Sequence, residues 1–120
     1  MLAAFCLAQK QIDSESKSRL YVVMAKGYWI ITGTIHTPLG MVAYVNKLMQ
    51  YVEKTGATFL VREMETDIRE GEPGEVTVII EFESKQAAET AYEDPEYQKL
   101  IALRRPHSDL SLTIVEELSA

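Results

Sequence analysis

Cysteine is nearly missing from this chain: Cys6 is the only one, so no internal disulfide can form and no set of thiolates can hold zinc or an iron–sulfur cluster within one copy. That usage fits a reducing, cytoplasmic setting. Positive charge is also scarce. Twelve basic residues stand against 18 acidic ones, a formal charge of −6, which leaves no surplus of Lys and Arg for phosphates or anionic lipid headgroups. No nucleic acid and no membrane is expected as a partner. Apolar runs are short, none reaching the roughly 20 residues that span a bilayer. Leu2 to Ala8 is apolar, but no basic residue precedes it and no small-x-small cleavage site follows, and Phe5 before Cys6 does not suit a lipoprotein site. His36 and His107 each stand alone, without a second His or a Cys at ligand spacing. Neither Gly71 nor Gly74 is followed by the Lys and Ser/Thr of a phosphate loop. No metal and no cofactor is expected.

What is present is a chain of 120 residues, 47% hydrophobic and 25% charged, the balance of one globular domain. Residues 1–25 differ from the rest: a short apolar run, the polar stretch Gln9 to Arg19, then Met24-Ala25-Lys26, which resembles a second start. The expectation is an appendage over 1–25 and a compact domain over 26–120.

Gly27 to Ile35 is aromatic and β-branched, the pattern of a strand. Thr37 and Pro38 supply a cap and a first helical residue, and Met41, Tyr44, Val45, Leu48, Met49 and Val52 follow at spacings of three and four. Gly56 is placed to end that helix in a left-handed turn. Thr58 to Ile68 reads as a second strand and Glu75 to Glu83 as a third, joined through Gly71, Pro73 and Gly74 as a hairpin. Ser84 then caps a helix over Lys85 to Glu93, and Asp94-Pro95 opens another that stops before Pro106. Leu110 to Val115 is the last strand. The order strand, helix, strand, strand, helix pair, strand predicts an α+β fold of the ferredoxin-like, split βαβ kind: a four-stranded antiparallel sheet with its helices on one face.

The third strand is apolar on both faces. Val76, Val78, Ile80 and Phe82 can meet the helices, while Thr77, Ile79, Glu81 and Glu83 look the other way with Tyr28, Ile30, Thr32 and Thr34 of the first strand. Burying Tyr28, Ile30 and Ile79 contributes about 1.5–3 kcal/mol for each one fully covered, so a second copy is expected over that face.

Five segments, Lys26-Gly27-Tyr28-Trp29-Ile30, Phe59-Leu60-Val61-Arg62, Val78-Ile79-Ile80-Glu81-Phe82, Asp94-Pro95-Glu96-Tyr97-Gln98 and Leu103-Arg104-Arg105, occur in the order and spacing of a known family. Over residues 26–117 the chain resembles the bacterial domain-of-unknown-function family numbered thirteen-thirty, in the dimeric α/β-barrel superfamily. The resemblance implies a homodimer, its two sheets packed face to face around an interior. Ala91 stands where the family has tryptophan, and Glu63-Met64 where it has a glycine pair.

Glu81, mid-strand on the face assigned to the second copy, is the candidate catalytic acid or base, since burial raises a carboxyl's pKa. Arg62 is the candidate fork for an anionic substrate oxygen, and Tyr28 and Tyr97 the candidate wall and phenol donor of a substrate-binding pocket. Each has a plainer alternative: Glu81 and Arg62 as an ion pair across adjacent strands, the tyrosines as packing. His36 and His107 fit surface or loop imidazoles, and Ser84 and Ser108 lack a hydrolase setting. Two functions are consistent with these residues. One is a homodimer that binds a small molecule in a cavity at the sheet face between subunits. The other is a cofactor-independent oxygenase or isomerase acting on a small aromatic or carbonyl compound, by analogy of fold.

Overall fold

The computed structural model describes residues 25–118; the expected appendage, Cys6 included, lies outside the described residues except for Ala25. Gly27–Ile35 (β1) forms the first strand, and its aromatic and β-branched side chains split between two faces. After a single turn of 3-10 helix at Pro38–Met41, the helix Val42–Thr55 (α1) runs across one face. Thr58–Glu63 (β2) and Val76–Phe82 (β3) form the hairpin. Lys85–Glu93 (α2), Pro95–Arg104 (α3) and Ser108–Glu116 (β4) complete the order. The sheet runs β2-β3-β1-β4 with every neighbouring pair antiparallel, the ferredoxin-like arrangement.

Local chemistry explains most boundaries. Gly56 takes a left-handed φ of 78° at the end of α1, which a side chain would resist. Ser84 accepts the Ala87 amide at 3.0 Å to open α2. Asp94 accepts the Glu96 amide at 2.9 Å to open α3, with Pro95 following as the first helical residue.

Several boundaries differ from the sequence reading: the third strand is one residue shorter at each end, and the last begins at Ser108 and ends at Glu116. Thr37 makes no side-chain cap, because the chain enters through the 3-10 turn and α1 begins only at Val42. The second strand stops at Glu63 rather than Ile68. Beyond it come Glu65, Asp67, Glu70, Glu72 and Glu75, whose mutual repulsion disfavours a close ladder. Thr66 still ties the loop back, its amide to the Glu75 carbonyl and its hydroxyl to that of Thr77 on β3, both at 2.8 Å. This loop passes tightly over β1: a side chain at Gly74, φ 86°, would strike the Gly33 carbonyl.

The core lies between sheet and helices. Trp29, Tyr51, Tyr97 and Ile80 are its largest sealed side chains. Tyr97 stands 4.8 Å from Trp29 and 5.6 Å from Tyr92 between ring centroids. The polar tips of the sealed aromatic residues Trp29, Tyr51 and Tyr97 each have a partner. The Trp29 indole donates to the Ala88 carbonyl, and the Tyr51 hydroxyl meets the Ala91 carbonyl and the Asp94 carboxylate, all at 2.9 Å. On the other side, cross-strand register aligns Thr58, Glu81, Tyr28 and Val115 in one row and Val61, Ile79, Ile30 and Thr113 in the next. Among the described residues no element covers these rows, and Val61 and Val115 are 37% and 41% exposed.

Candidate functional site

Helix α1 buries Tyr44, Leu48, Tyr51 and Val52, whereas Val45 is half-buried and Met49 exposed. On that looser side a cavity of about 260 Å³ opens between α1 and the sheet. Ile31, Val76 and Val78 form its floor, and Met41, Tyr44, Leu48 and Met49 are its helix-side walls. Phe59, Arg62 and Met64 line it from the hairpin, with Met49 and Met64 about half exposed at its margin.

Arg62 reaches this cavity through an irregularity that its strand pattern does not reveal. Regular alternation from Phe59 would place Arg62 on the uncovered face, opposite the helices. A bulge between Phe59 and Val61 makes Leu60 an extra residue, so Phe59 pairs with Ile80, Val61 with Ile79 and Arg62 with Val78. Arg62 is thereby turned to the helix side, and among the described residues no carboxylate forms an ion pair with it. The ion pair of Glu81 with Arg62 does not form, because the two side chains leave the sheet on opposite faces.

Tyr97 is also on the helix side, wholly buried, and its hydroxyl is 2.9 Å from that of Tyr44. It is a core residue of α3 and does not share a surface with Glu81. Glu81 and Tyr28 do meet, as directly paired neighbours on the uncovered face, both half-buried. The Tyr28 phenol is pushed up by burial, then by the Glu117 and Glu81 carboxylates. The four candidates thus divide: Glu81 and Tyr28 on one face, Arg62 and Tyr97 on the other.

The sequence reading placed Tyr44 in the packing stripe of α1 and took the basic doublet Arg104-Arg105 as the cationic last turn of a helix. Tyr44 is the phenol that faces the cavity, and its pKa is raised by burial and by Tyr97, more than the nearby Arg104 lowers it. Arg104 is only 8% exposed, with its guanidinium carbon 5.7 Å from the centroid of the Tyr44 ring. Its signal was available. Positions 97, 100, 101 and 104 form the buried stripe of α3, so the first arginine of the doublet belongs to that stripe rather than to a solvated last turn. His36 is exposed and pairs with Asp109 at 2.6 Å, while His107 packs on Gly40. Ser84 is a helix cap, and the Ser108 hydroxyl donates to the Arg104 carbonyl at 2.8 Å.

Among the described residues no cluster of three or more His, Cys, Asp or Glu is placed to hold a metal ion. No described helix is long and apolar enough to cross a membrane.

Residues 26–118 match the model of a family described as a domain of unknown function (DUF1330). Among solved structures, the RPA0582 protein of unknown function from Rhodopseudomonas palustris superposes with a TM-score of 0.62 at 13% identity, over 90% of this chain and 96% of that one. Its methylated form gives 0.63 at 14% identity, over 88% and 93%. At such identities the likeness concerns the fold. The comparison with curated proteins finds no match.

Proposed function

The chain belongs to the DUF1330 family, and we propose that it is a homodimeric binding protein for a small molecule with an apolar body and an anionic end. The observation that carries this reading is the cleft itself: apolar walls on three sides and a single guanidinium at the hairpin margin. An apolar body entering it sheds its own hydration and that of Ile31, Val78 and Leu48. A carboxylate at its end meets Arg62, whose planar fork can bind both oxygens. The two methionines beside the opening adapt to varied ligand shapes because the thioether side chain is unbranched.

Binding is favoured over turnover by the ionisable groups available. The cavity's lining holds no carboxyl, imidazole or thiol, and its one phenol, Tyr44, is raised by burial and by Tyr97 and so keeps its proton near neutrality. This reading moves the ligand from the space between two sheets to the helix side of each protomer. Glu81 and Tyr28 then belong to the face that a second copy covers, where the Tyr28 phenol and the neighbouring carboxylate would meet the partner sheet.

The test is a thermal-shift and calorimetric series with benzoate, short-chain carboxylates and their neutral amides, with mass detection of any product. Acids should bind saturably and more tightly than the matching amides. Arg62→Gln should weaken the acids about tenfold, for loss of a charge-assisted contact worth about 1.5 kcal/mol at an exposed margin. Acids and amides bound alike by both proteins would remove Arg62 from the site, and appearance of product would replace binding by catalysis.

A further inference from the structure

A second recess lies on the far side of Tyr44, where α3 turns into β4. It is lined mainly by polar surface, from Arg104, Arg105, Ser108 and Asp109, above Leu110 and Leu112. Arg104 is the unusual member: more than nine-tenths buried, yet without an ion pair to any described carboxylate. A guanidinium offers five N–H donors and cannot shed its charge, so burying one is tolerated only where acceptors or an anion compensate it. The nearest acceptors to the Arg104 guanidinium among the described residues are the Tyr44 and Tyr97 hydroxyls, which already share a hydrogen bond with each other and can engage at most two of the five donors. No side-chain nitrogen among the described residues is sealed from solvent without a partner. The donors left over have the recess that Arg104 lines as their outlet. The Tyr44 ring beneath offers partial compensation through its π face.

The surrounding charges point the same way. Arg105 adds a second, exposed guanidinium at the rim. The one carboxylate there, Asp109, is drawn to the His36 ring at 2.6 Å. In a chain of net charge −6, this is a local concentration of positive charge around a buried fork. The Ser108 hydroxyl, engaged with the Arg104 carbonyl, ties the first residue of β4 to the last residue of α3 and so holds the recess in shape.

We infer that this recess is a binding site for a small oxyanion, the phosphate or carboxylate group of a ligand, with Arg104 as its buried fork and Arg105 as its outer contact. The site is separate from the cleft at Arg62, although Tyr44 is a wall of one and the platform for the guanidinium of the other.

The experiment titrates inorganic phosphate, acetate and, at matched ionic strength, chloride into the full chain by calorimetry, with melting temperature read in parallel. Phosphate or acetate should bind saturably and raise the melting temperature beyond the chloride control, and which of the two binds tighter identifies the preferred group. Arg104→Gln should weaken binding at least tenfold and Arg105→Gln about threefold, while Arg62→Gln leaves it unchanged. Should Arg104→Gln fail to fold by circular dichroism, the loss in Arg105→Gln decides the matter. Heats no larger than those of chloride, or full binding in every folded arginine variant of the recess, would overturn the inference. Loss on Arg62→Gln instead would assign the anion to the cleft.

Discussion

Asp94 shows how much one side chain can organise. Its carboxylate accepts the Glu96 amide that opens α3 and the Tyr51 hydroxyl that rises from α1, so a single residue ties both helices to one turn. The amide first, and then the phenol, hold its carboxyl below the usual carboxylate range. A depressed folded value means that the ionised form stabilises the fold above the ordinary carboxylate pKa of about 3.9, and that this contribution is lost as pH falls through the depressed value. Asp94→Asn keeps an oxygen for the cap but not the charge. Chemical denaturation should therefore show the variant less stable near neutrality, with the gap closing as pH falls through the depressed value. A gap independent of pH would mean that the charge contributes nothing. The capping role was legible from Asp94-Pro95 alone, whereas the Tyr51 contact was not, because it joins residues 43 apart in sequence.

At the scale of elements, composition and punctuation were enough wherever a local rule decides the outcome. Strand β1 and helix α2 begin and end where the residue pattern places them, and Gly56 takes the left-handed turn that ends α1. The sheet's two faces on β3 follow from alternation, with Val76, Ile80 and Phe82 buried. Illegible were the features set by neighbours: the 3-10 entry that displaced the Thr37 cap, and the Leu60 bulge that carried Arg62 to the helix side. A bulge is a property of a pair of strands, and one strand's sequence does not declare it. The bulge also makes a counterintuitive prediction. Removing Leu60 should leave the faces of Phe59, Val61 and Arg62 as they are, because the residue lost is the extra one. A chain lacking Leu60 is expected to fold and to bind carboxylates within about threefold of the parent, the scale of an edge-strand adjustment. Loss of binding comparable to Arg62→Gln would show that the bulge sets more than parity.

At the scale of the whole molecule, the proposed homodimer rests on the uncovered sheet face. Tyr28, Ile30 and Ile79 lie side by side there, flanked by Val61 and Val115, and a second copy is the simplest cover of matching chemistry. Ile79→Asp should convert a dimer of the parent chain to a monomer in light scattering at micromolar concentration. Monomeric mass for the parent would dismiss the assembly. The termini of the described domain are already tied, the Lys26 amide and carbonyl meeting Glu117 at 2.9 and 2.8 Å. A chain without residues 2–24 should therefore keep the melting transition of the domain to within a few degrees, about 1 kcal/mol for a domain of this size. Complete unfolding would make those residues part of the core.

Trp29 is the chain's only indole, enclosed by Phe82, Tyr92 and Tyr97 and bonded to the backbone of α2. The molecule therefore carries an intrinsic optical reporter at the seam between sheet and helices. Its emission should be blue and poorly quenched by iodide in the native state, reddening only when α2 lifts away. Parting of the two layers can then be timed by stopped flow with no dye attached, undisturbed by ligand traffic at a cleft that Trp29 does not line.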